Sequence, residues 1–174
     1  MKQVFYIPMS IKESDMEIEI NRAIAKLEHD MKLEWLTDLI KAPDASKYML
    51  VFEKSDGAGS VSPSIGVKVI QGSQNKITTE KLLNDTFMEL EASEDKNFIS
   101  ICHPSEFAYI ILYENKAGTF PRVKIIPNPP DPRAGSRKVS MFLDMLDDDP
   151  DWELQPYDSF MLDKDSMMIL FAEE

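Results

Sequence analysis

The 174-residue sequence has few of the residues that cross-link a chain or bind a metal through nitrogen and sulfur. It contains one cysteine, Cys102, and two histidines, His29 and His103. One cysteine excludes a disulfide within the chain and a thiolate-rich zinc site, and two histidines are too few for a histidine-rich site. Because small secreted domains commonly depend on disulfides, this composition favours a reducing, cytoplasmic location.

Long apolar runs and phosphate-binding glycine motifs are also missing. No run reaches the roughly 18 apolar residues of a membrane span, and the first residues lack the pattern of a secretory signal. Gly57 and Gly59 lie close together, but no strand–turn–helix fingerprint follows them. Since 43% of the residues are hydrophobic, we expect a single globular domain over residues 1–174 that does not bind membranes.

Apolar periodicity predicts an α+β fold. Apolar spacing typical of a helix extends over residues 15–41, and we expect either a kink or break near residues 29–31 or a helix that projects to meet a partner. A second helix begins near Thr78 or Thr79. A third helix carries an amphipathic stripe, whose members are Val139, Phe142, Leu143 and Leu146. Strand patterns occupy residues 3–8, 47–54, 65–71, 97–102, 107–113, 121–126, 152–154 and 167–172.

These elements predict a mixed, mainly antiparallel sheet with helices on one face. The order β-α-β-β-α-β in residues 1–103 is that of a ferredoxin-like unit. Residues 104–174 then add a β-β-α-β-β extension with an acidic C-terminal segment. No internal repeat is evident in the sequence.

The negative charge is concentrated at the C-terminal end. The net charge is −12, and residues 144–174 hold eleven carboxylates against a single base, Lys164. Such acidity opposes non-specific binding to nucleic acid or anionic membranes. Acids with interleaved aromatics are typical of an interface with a basic partner protein. The predicted partner-binding residues are Asp144, Asp147, Asp148, Asp149, Asp151, Trp152 and Tyr157. The alternatives are a decoy of nucleic-acid charge and a segment that only keeps the surface soluble.

A basic segment precedes the acidic one. Its cations lie at the start of the third predicted helix, where acids would suit the helix dipole better. Free backbone N–H groups, a hydroxyl and cations together form an anion site. The predicted anion-binding residues are Arg133, Ser136, Arg137 and Lys138, which Arg122 or Lys124 would join if the fold brings them close. The alternative is a solvated basic loop.

Neither a metal site nor a catalytic residue is predicted. Asp147, Asp149 and Asp151 have the spacing of a calcium loop, but Pro150 and Trp152 break the pattern. Cys102 and His103 are consecutive, so a strand directs them to opposite faces.

The sequence therefore favours a non-catalytic, acidic binding or regulatory protein without a cofactor, such as an inhibitor, an adaptor, an immunity-type protein or a nucleic-acid decoy. The competing hypothesis is a small enzyme or sensor that holds a phosphate-bearing ligand at the basic loop, with a carboxylate of residues 144–151 as base or metal ligand.

Overall fold

The computed structural model describes the backbone of most of the chain and the side chains of a smaller part. The backbone is described for residues 2–8, 13–31, 33–41, 47–54, 65–103, 108–127, 140, 144 and 154–173. Side chains are described for residues 15–26, 65–103, 108–126, 140, 144 and 156–172.

Within these ranges the chain forms two helices and nine strands, and Ser140 and Asp144 are also helical. The helices are α1 (Glu13–Met31) and α2 (Lys76–Ala92). The strands are β1 (Lys2–Pro8), β2 (Leu33–Lys41), β3 (Lys47–Lys54), β4 (Ile65–Gln71), β5 (Asn97–Cys102), β6 (Ala108–Glu114), β7 (Arg122–Pro127), β8 (Leu154–Asp163) and β9 (Ser166–Glu173). The predicted α+β class is confirmed.

All described strand pairings are antiparallel, and they form three separate sheets. The strand orders are β1-β3-β2, β4-β6-β5 and β7-β9-β8. The predicted antiparallel character is therefore confirmed, while the strands divide among sheets of three instead of one larger sheet. Antiparallel neighbours need only short connections, which suits the hairpins β5–β6 and β8–β9.

The long helix predicted over residues 15–41 is wrong in its second half. Helix α1 ends at Met31, close to the expected break, and residues 33–41 form strand β2. This strand has register shifts between Leu33 and Trp35 and between Leu36 and Asp38. Each bulge adds a residue and interrupts the two-residue alternation of a strand, so the apolar spacing imitates a helix.

The extra strand also changes the element order. Through Cys102 the order is β-α-β-β-β-α-β, and the strands belong to two sheets, so the described residues do not establish a ferredoxin-like unit. The predicted start of α2 is corrected as well. Asn75 caps this helix, because its Oδ1 accepts the N–H groups of Ile77 at 3.0 Å and Thr78 at 3.4 Å. The third predicted helix lies outside the described residues, apart from Ser140 and Asp144.

The chain order of the elements reveals an internal repeat that the sequence did not show. Repeat 1 is β1-α1-β2-β3, and repeat 2 is β4-α2-β5-β6. Repeat 3 is β7, the helical residues Ser140 and Asp144, β8 and β9. In each repeat the third strand lies between the first and the second and is antiparallel to both. The same arrangement of three strands therefore occurs three times, with a helix after the first strand in repeats 1 and 2 and the helical residues Ser140 and Asp144 at that place in repeat 3.

The register of the strands supports this equivalence. The second strand of each repeat has a register shift of the same kind, between Leu36 and Asp38, between Phe98 and Ser100, and between Pro156 and Asp158. The second-strand residue that follows each shift pairs with a residue of the central strand. On its other side, that central-strand residue pairs with a valine of the first strand. These valines are Val4, Val67 and Val123. A bulge that all three repeats have at the same register position is a feature of the repeat itself and not a local irregularity.

The chain divides into two compact units. One comprises Met1–Ser73 and Leu90–Thr119, and the other comprises Gln74–Glu89 and Phe120–Glu174. In the first, the buried face of α1 packs with β4 and β6, and the core residues are Met16, Ile20, Ile24, Val67, Ile110 and Leu112. In the second, Phe87 of α2 contacts Phe120, with ring centroids 6.0 Å apart. The single domain over residues 1–174 and its subdivision at residue 103 stay predictions.

Candidate interaction surfaces

A pair of polar side chains on α1 binds the free edge of strand β4. The Asn21 amide donates to the Val67 carbonyl at 2.9 Å and accepts the Val67 N–H at 2.8 Å. One turn earlier, Glu17 Oε2 accepts the Val69 N–H at 3.0 Å. Glu17 Oε1 lies 3.6 Å from the Lys68 ammonium. Because β4 is an edge strand among the described strands, the α1 clamp (Glu17 and Asn21) satisfies backbone groups that none of those strands pairs.

Helix α2 makes the same contacts with strand β7. The Asn84 amide donates to the Val123 carbonyl at 3.0 Å and accepts the Val123 N–H at 2.8 Å. Glu80 Oε2 accepts the Ile125 N–H at 2.9 Å, and Glu80 Oε1 lies 3.1 Å from the Lys124 ammonium. Since β7 is also the edge of its sheet, the α2 clamp (Glu80 and Asn84) repeats the α1 clamp group by group.

A short sequence pattern accompanies both clamps. In both helices, the residue directly before the Glu, the residue directly before the Asn and the residue three positions after the Asn are buried. They are Met16, Ile20 and Ile24 in α1 and Thr79, Leu83 and Phe87 in α2. The bound strands read Val-Lys-Val-Ile in β4 and Val-Lys-Ile-Ile in β7. The sequence signal for both clamps is therefore Glu-x3-Asn on a helix, which recurs after 63 positions and was missing from the sequence-based predictions.

Among the described residues of repeat 3, the large exposed apolar side chains lie on the edge strand β8. Tyr157 is 52% exposed and Met161 is 51% exposed. The alternate residue between them, Ser159, is exposed too, and so is the carboxylate of Asp158. Partial burial raises the pKa of the Tyr157 phenol to about 12, and the charge of Asp158 contributes in the same direction. Two large apolar side chains beside a carboxylate on a sheet edge form a candidate protein-binding surface, here called the β8 surface.

Only two of the predicted partner-binding residues are described. Asp144 is helical and exposed, and Tyr157 is exposed on β8. The remaining five, Asp147, Asp148, Asp149, Asp151 and Trp152, lie outside the described residues. Residues that bind a partner have to be exposed, and Asp144 and Tyr157 are exposed. Their role in binding a partner stays a prediction.

The predicted anion-binding residues Arg133, Ser136, Arg137 and Lys138 lie outside the described residues as well. The two cations proposed to join them have other contacts. Lys124 pairs with Glu80 in the α2 clamp. The Arg122 guanidinium donates to the carbonyls of Phe120 at 3.5 Å and Pro121 at 3.0 Å. Both cations therefore have a structural role in the compact unit that contains them.

Cys102 and His103 are adjacent in the chain, and each contacts residues of its own compact unit. Cys102 is half-buried and packs against the core of its unit. His103 Nδ1 lies 3.0 Å from the Ala108 carbonyl oxygen, and its ring stacks on Tyr109 with centroids 4.4 Å apart. Across the described part of the chain, no group of three His, Cys, Asp or Glu side chains is placed to hold a metal ion.

No helix among the described residues is long and apolar enough to cross a membrane. The chain matches no family model, no curated protein and no solved structure. Any assignment of function therefore has to come from the surfaces themselves.

Proposed function

We propose that the chain is a non-catalytic binding protein that acts through a protein–protein interface, and that the β8 surface is its contact site for a basic partner. The observation that carries this proposal is the half-exposed pair Tyr157 and Met161 on an edge strand. Strand β8 has a proline, a carboxylate and a register shift at positions 156–158, which oppose strand pairing, so the proposed contact is made by the exposed side chains.

The exposed carboxylates around β8 support a partner with positive charge. Asp158 and Asp165 are exposed in this region, and Asp144 is exposed on the helical segment of the same repeat. A partner with basic residues around an apolar centre would match these carboxylates. Apolar side chains at the centre supply affinity, while the surrounding acids accelerate association in a way that salt weakens. This agrees with the acidic C-terminal segment of the sequence.

The test is affinity capture from a lysate of the natural host with the tagged chain and two matched variants. The first variant, Tyr157→Ser with Met161→Ser, removes the apolar centre of the β8 surface. The second, Ile77→Ser with Met88→Ser, removes two exposed apolar side chains of α2. A basic protein that binds at low salt, elutes at high salt and is lost only from the first variant supports the proposal. Its affinity is then measured with both purified proteins.

Two outcomes would overturn it. If both variants retain the same proteins, the β8 surface is not the contact site. If a phosphate-bearing ligand raises the melting temperature of the wild type but not that of Arg137→Glu with Lys138→Glu, the sensor or enzyme hypothesis replaces the binding protein. The thermal-shift series uses nucleotides and phosphosugars, so that each hypothesis has its own positive result.

A further inference from the structure

Tyr157 and Asp158 are neighbours on β8 at a point where the strand is irregular. In the pairing with β9, Pro156 lies opposite Phe171 and Asp158 lies opposite Leu170, so Tyr157 is the additional residue of the register shift. An additional residue interrupts the two-residue alternation of a strand, and a bulge redirects side chains next to it. The strand geometry therefore does not force Tyr157 and Asp158 onto opposite faces of the sheet.

Both side chains are accessible, and the carboxylate affects the phenol. Tyr157 is 52% exposed, and Asp158 is exposed as well. Partial burial raises the pKa of the Tyr157 phenol, and the negative charge of Asp158 adds to that increase. Because water and salt screen exposed charges beyond roughly 10 Å, this effect indicates that the carboxylate lies near the phenol.

A backbone hydrogen bond fixes the orientation of the Asp158 carboxylate. Its Oδ1 accepts the Ser159 N–H at 2.8 Å. The bond occupies a backbone donor of the edge strand, which agrees with a contact through side chains instead of strand pairing. Within the part of the chain that the structure describes, Oδ2 of Asp158 has no hydrogen bond or ion pair. A carboxylate held in this way is ready to accept a donor from outside the strand.

The chain contains an internal example of a cation that contacts both a tyrosine and an aspartate. The Lys96 ammonium lies 5.7 Å from the centroid of the Tyr113 ring and 2.9 Å from Oδ1 of Asp95. The face of the ring and the carboxylate both attract the positive charge. Strand β8 has the same two groups, and no Lys or Arg among the described residues contacts either of them.

Arginine suits a tyrosine and a carboxylate on an exposed strand better than lysine does. A guanidinium group is planar, so it can stack on the accessible ring and still direct N–H groups at the carboxylate. A lysine ammonium is a compact charge that holds its water more strongly, so it gains less from a ring that stays partly in solvent. The surrounding acids attract either cation, and the ring distinguishes between them.

We propose that Tyr157 and Asp158 determine the specificity of the β8 surface by binding an arginine side chain of the basic partner. The guanidinium stacks on the Tyr157 ring and donates to the Asp158 carboxylate. This assignment rests on the proposed function, because it names the side chain that the same surface recognises. Met161 lies four residues further along β8, which is about 13 Å at 3.3 Å per residue. An extended partner segment therefore places an apolar residue against Met161 when it is four positions from the arginine.

The probe is the blocked heptapeptide Gly-Arg-Gly-Ser-Gly-Leu-Gly, in which arginine and leucine have this spacing. The matched probe has lysine in place of the arginine. Each peptide is titrated into the full-length chain with isotope labels on the backbone amides and the tyrosine rings, and binding is followed by nuclear magnetic resonance. We expect the arginine peptide to shift the signals of the Tyr157 ring and of the Asp158 and Ser159 amides. It should bind about two- to fivefold more tightly than the lysine peptide.

Four single variants separate the ring from the charge. Tyr157→Leu keeps an apolar side chain without the ring, so the preference for arginine should disappear, whereas Tyr157→Phe keeps the ring and should retain it. Asp158→Asn should weaken the binding of both peptides about two- to fivefold, because it removes the charge next to the ring. The matched control is Asp165→Asn, which removes the same charge at the exposed β8–β9 turn. It should change the binding of either peptide less than about twofold.

The outcomes distinguish this assignment from the proposed function. Equal binding of the two peptides, or an unchanged preference in Tyr157→Leu, would overturn the arginine assignment and leave the β8 surface as a contact site. Peptide-induced shifts confined to other acidic residues would overturn it as well, because they would show attraction by net charge alone. If neither peptide binds, the arginine assignment also fails. The proposed function then still holds if a basic protein is lost from Tyr157→Ser with Met161→Ser in the capture experiment, and it fails if that variant retains the protein.

Discussion

The Asn84 side chain and the Val123 backbone form a closed pair of hydrogen bonds, one in each direction. Asn84 donates to the Val123 carbonyl at 3.0 Å and accepts its N–H at 2.8 Å. A neighbouring strand would bind the same two groups, so the amide replaces a strand at the edge of the sheet. Asn21 does the same for Val67.

We predict that Asn84→Ala lowers the free energy of unfolding by about 1–3 kcal/mol, because it leaves the N–H and carbonyl of Val123 without their partner. Asn84→Asp should cost a similar amount, since its carboxylate still accepts the N–H but repels the carbonyl. The measurement is urea unfolding followed by circular dichroism. The control is Gln74→Ala, an exposed position outside the clamp. Equal midpoints for Asn84→Ala and the control would refute the prediction.

The second prediction separates the two contacts of Glu80. Its Oε2 accepts the Ile125 N–H, and its Oε1 pairs with Lys124, whose side chain is 39% exposed. We expect Glu80→Ala to cost about 1–3 kcal/mol because a part-buried backbone donor loses its acceptor. Lys124→Met should cost less than about 1 kcal/mol, since exposed ion pairs contribute little. Urea unfolding of both variants at low and high salt tests this order, and a larger loss for Lys124→Met would reverse our ranking of the two contacts.

The sequence predicted most of the strands and the α+β class, but not the repeat. Strands β1, β3, β4 and β5 have alternating or continuous apolar patterns between turn residues, so they were found within a residue or so. Strand β2 was missed because bulges hid its alternation. The repeat was missed because equivalent positions share a role more than a residue type: Met16 corresponds to Thr79, and Ile24 to Phe87.

The sequence also predicted only some of the residues that form the candidate surfaces. Charge and aromatic content pointed to Tyr157 and Asp144, which are exposed. Met161 was not among the predicted residues, because the sequence predicted a strand only over residues 152–154, whereas β8 extends over Leu154–Asp163. The clamps were passed over because Glu and Asn on a helix usually indicate a solvated face. The clamp residues have a role only because their helix lies against the edge of a sheet. A single sequence does not show which strand lies against which helix.

The third prediction concerns Gly66, which lies opposite Tyr113 in the β4–β6 pair. A Cβ atom at Gly66 would lie 2.7 Å from the Tyr113 Oη and 2.8 Å from its ring. We expect Gly66→Ala to lower stability by about 1–3 kcal/mol because the ring has to move. In a Tyr113→Ala background the same change should be neutral or stabilising by about 0.5–1 kcal/mol, since alanine orders a strand better than glycine. A double-mutant cycle measures the coupling, and additive effects would exclude the contact as the cause.

The fourth prediction is a pH dependence from Asp163, at the turn between β8 and β9. Partial burial of this carboxyl raises its pKa, but hydrogen bonds from Lys76, the Asp165 N–H and the Ser166 hydroxyl outweigh that effect and lower the pKa from 3.8 to about 2. The unfolded chain therefore binds a proton between these values while the folded chain does not. The stabilisation from Asp163 is complete above the unfolded pKa and is lost as the pH falls through about 2.

Asp163→Asn should therefore reduce the slope of stability against pH between about pH 4 and pH 2, because the substituted side chain does not titrate. Lys76→Met should reduce the same slope in part, since it removes one of the three donors that favour the charged carboxyl. Urea unfolding at half-unit steps of pH measures both. Because the Asp163 side chain is 40% exposed, salt should diminish the contribution of Lys76 more than that of the Asp165 N–H and the Ser166 hydroxyl. An unchanged slope in Asp163→Asn would show that other carboxyl groups govern the acid limb of the stability curve.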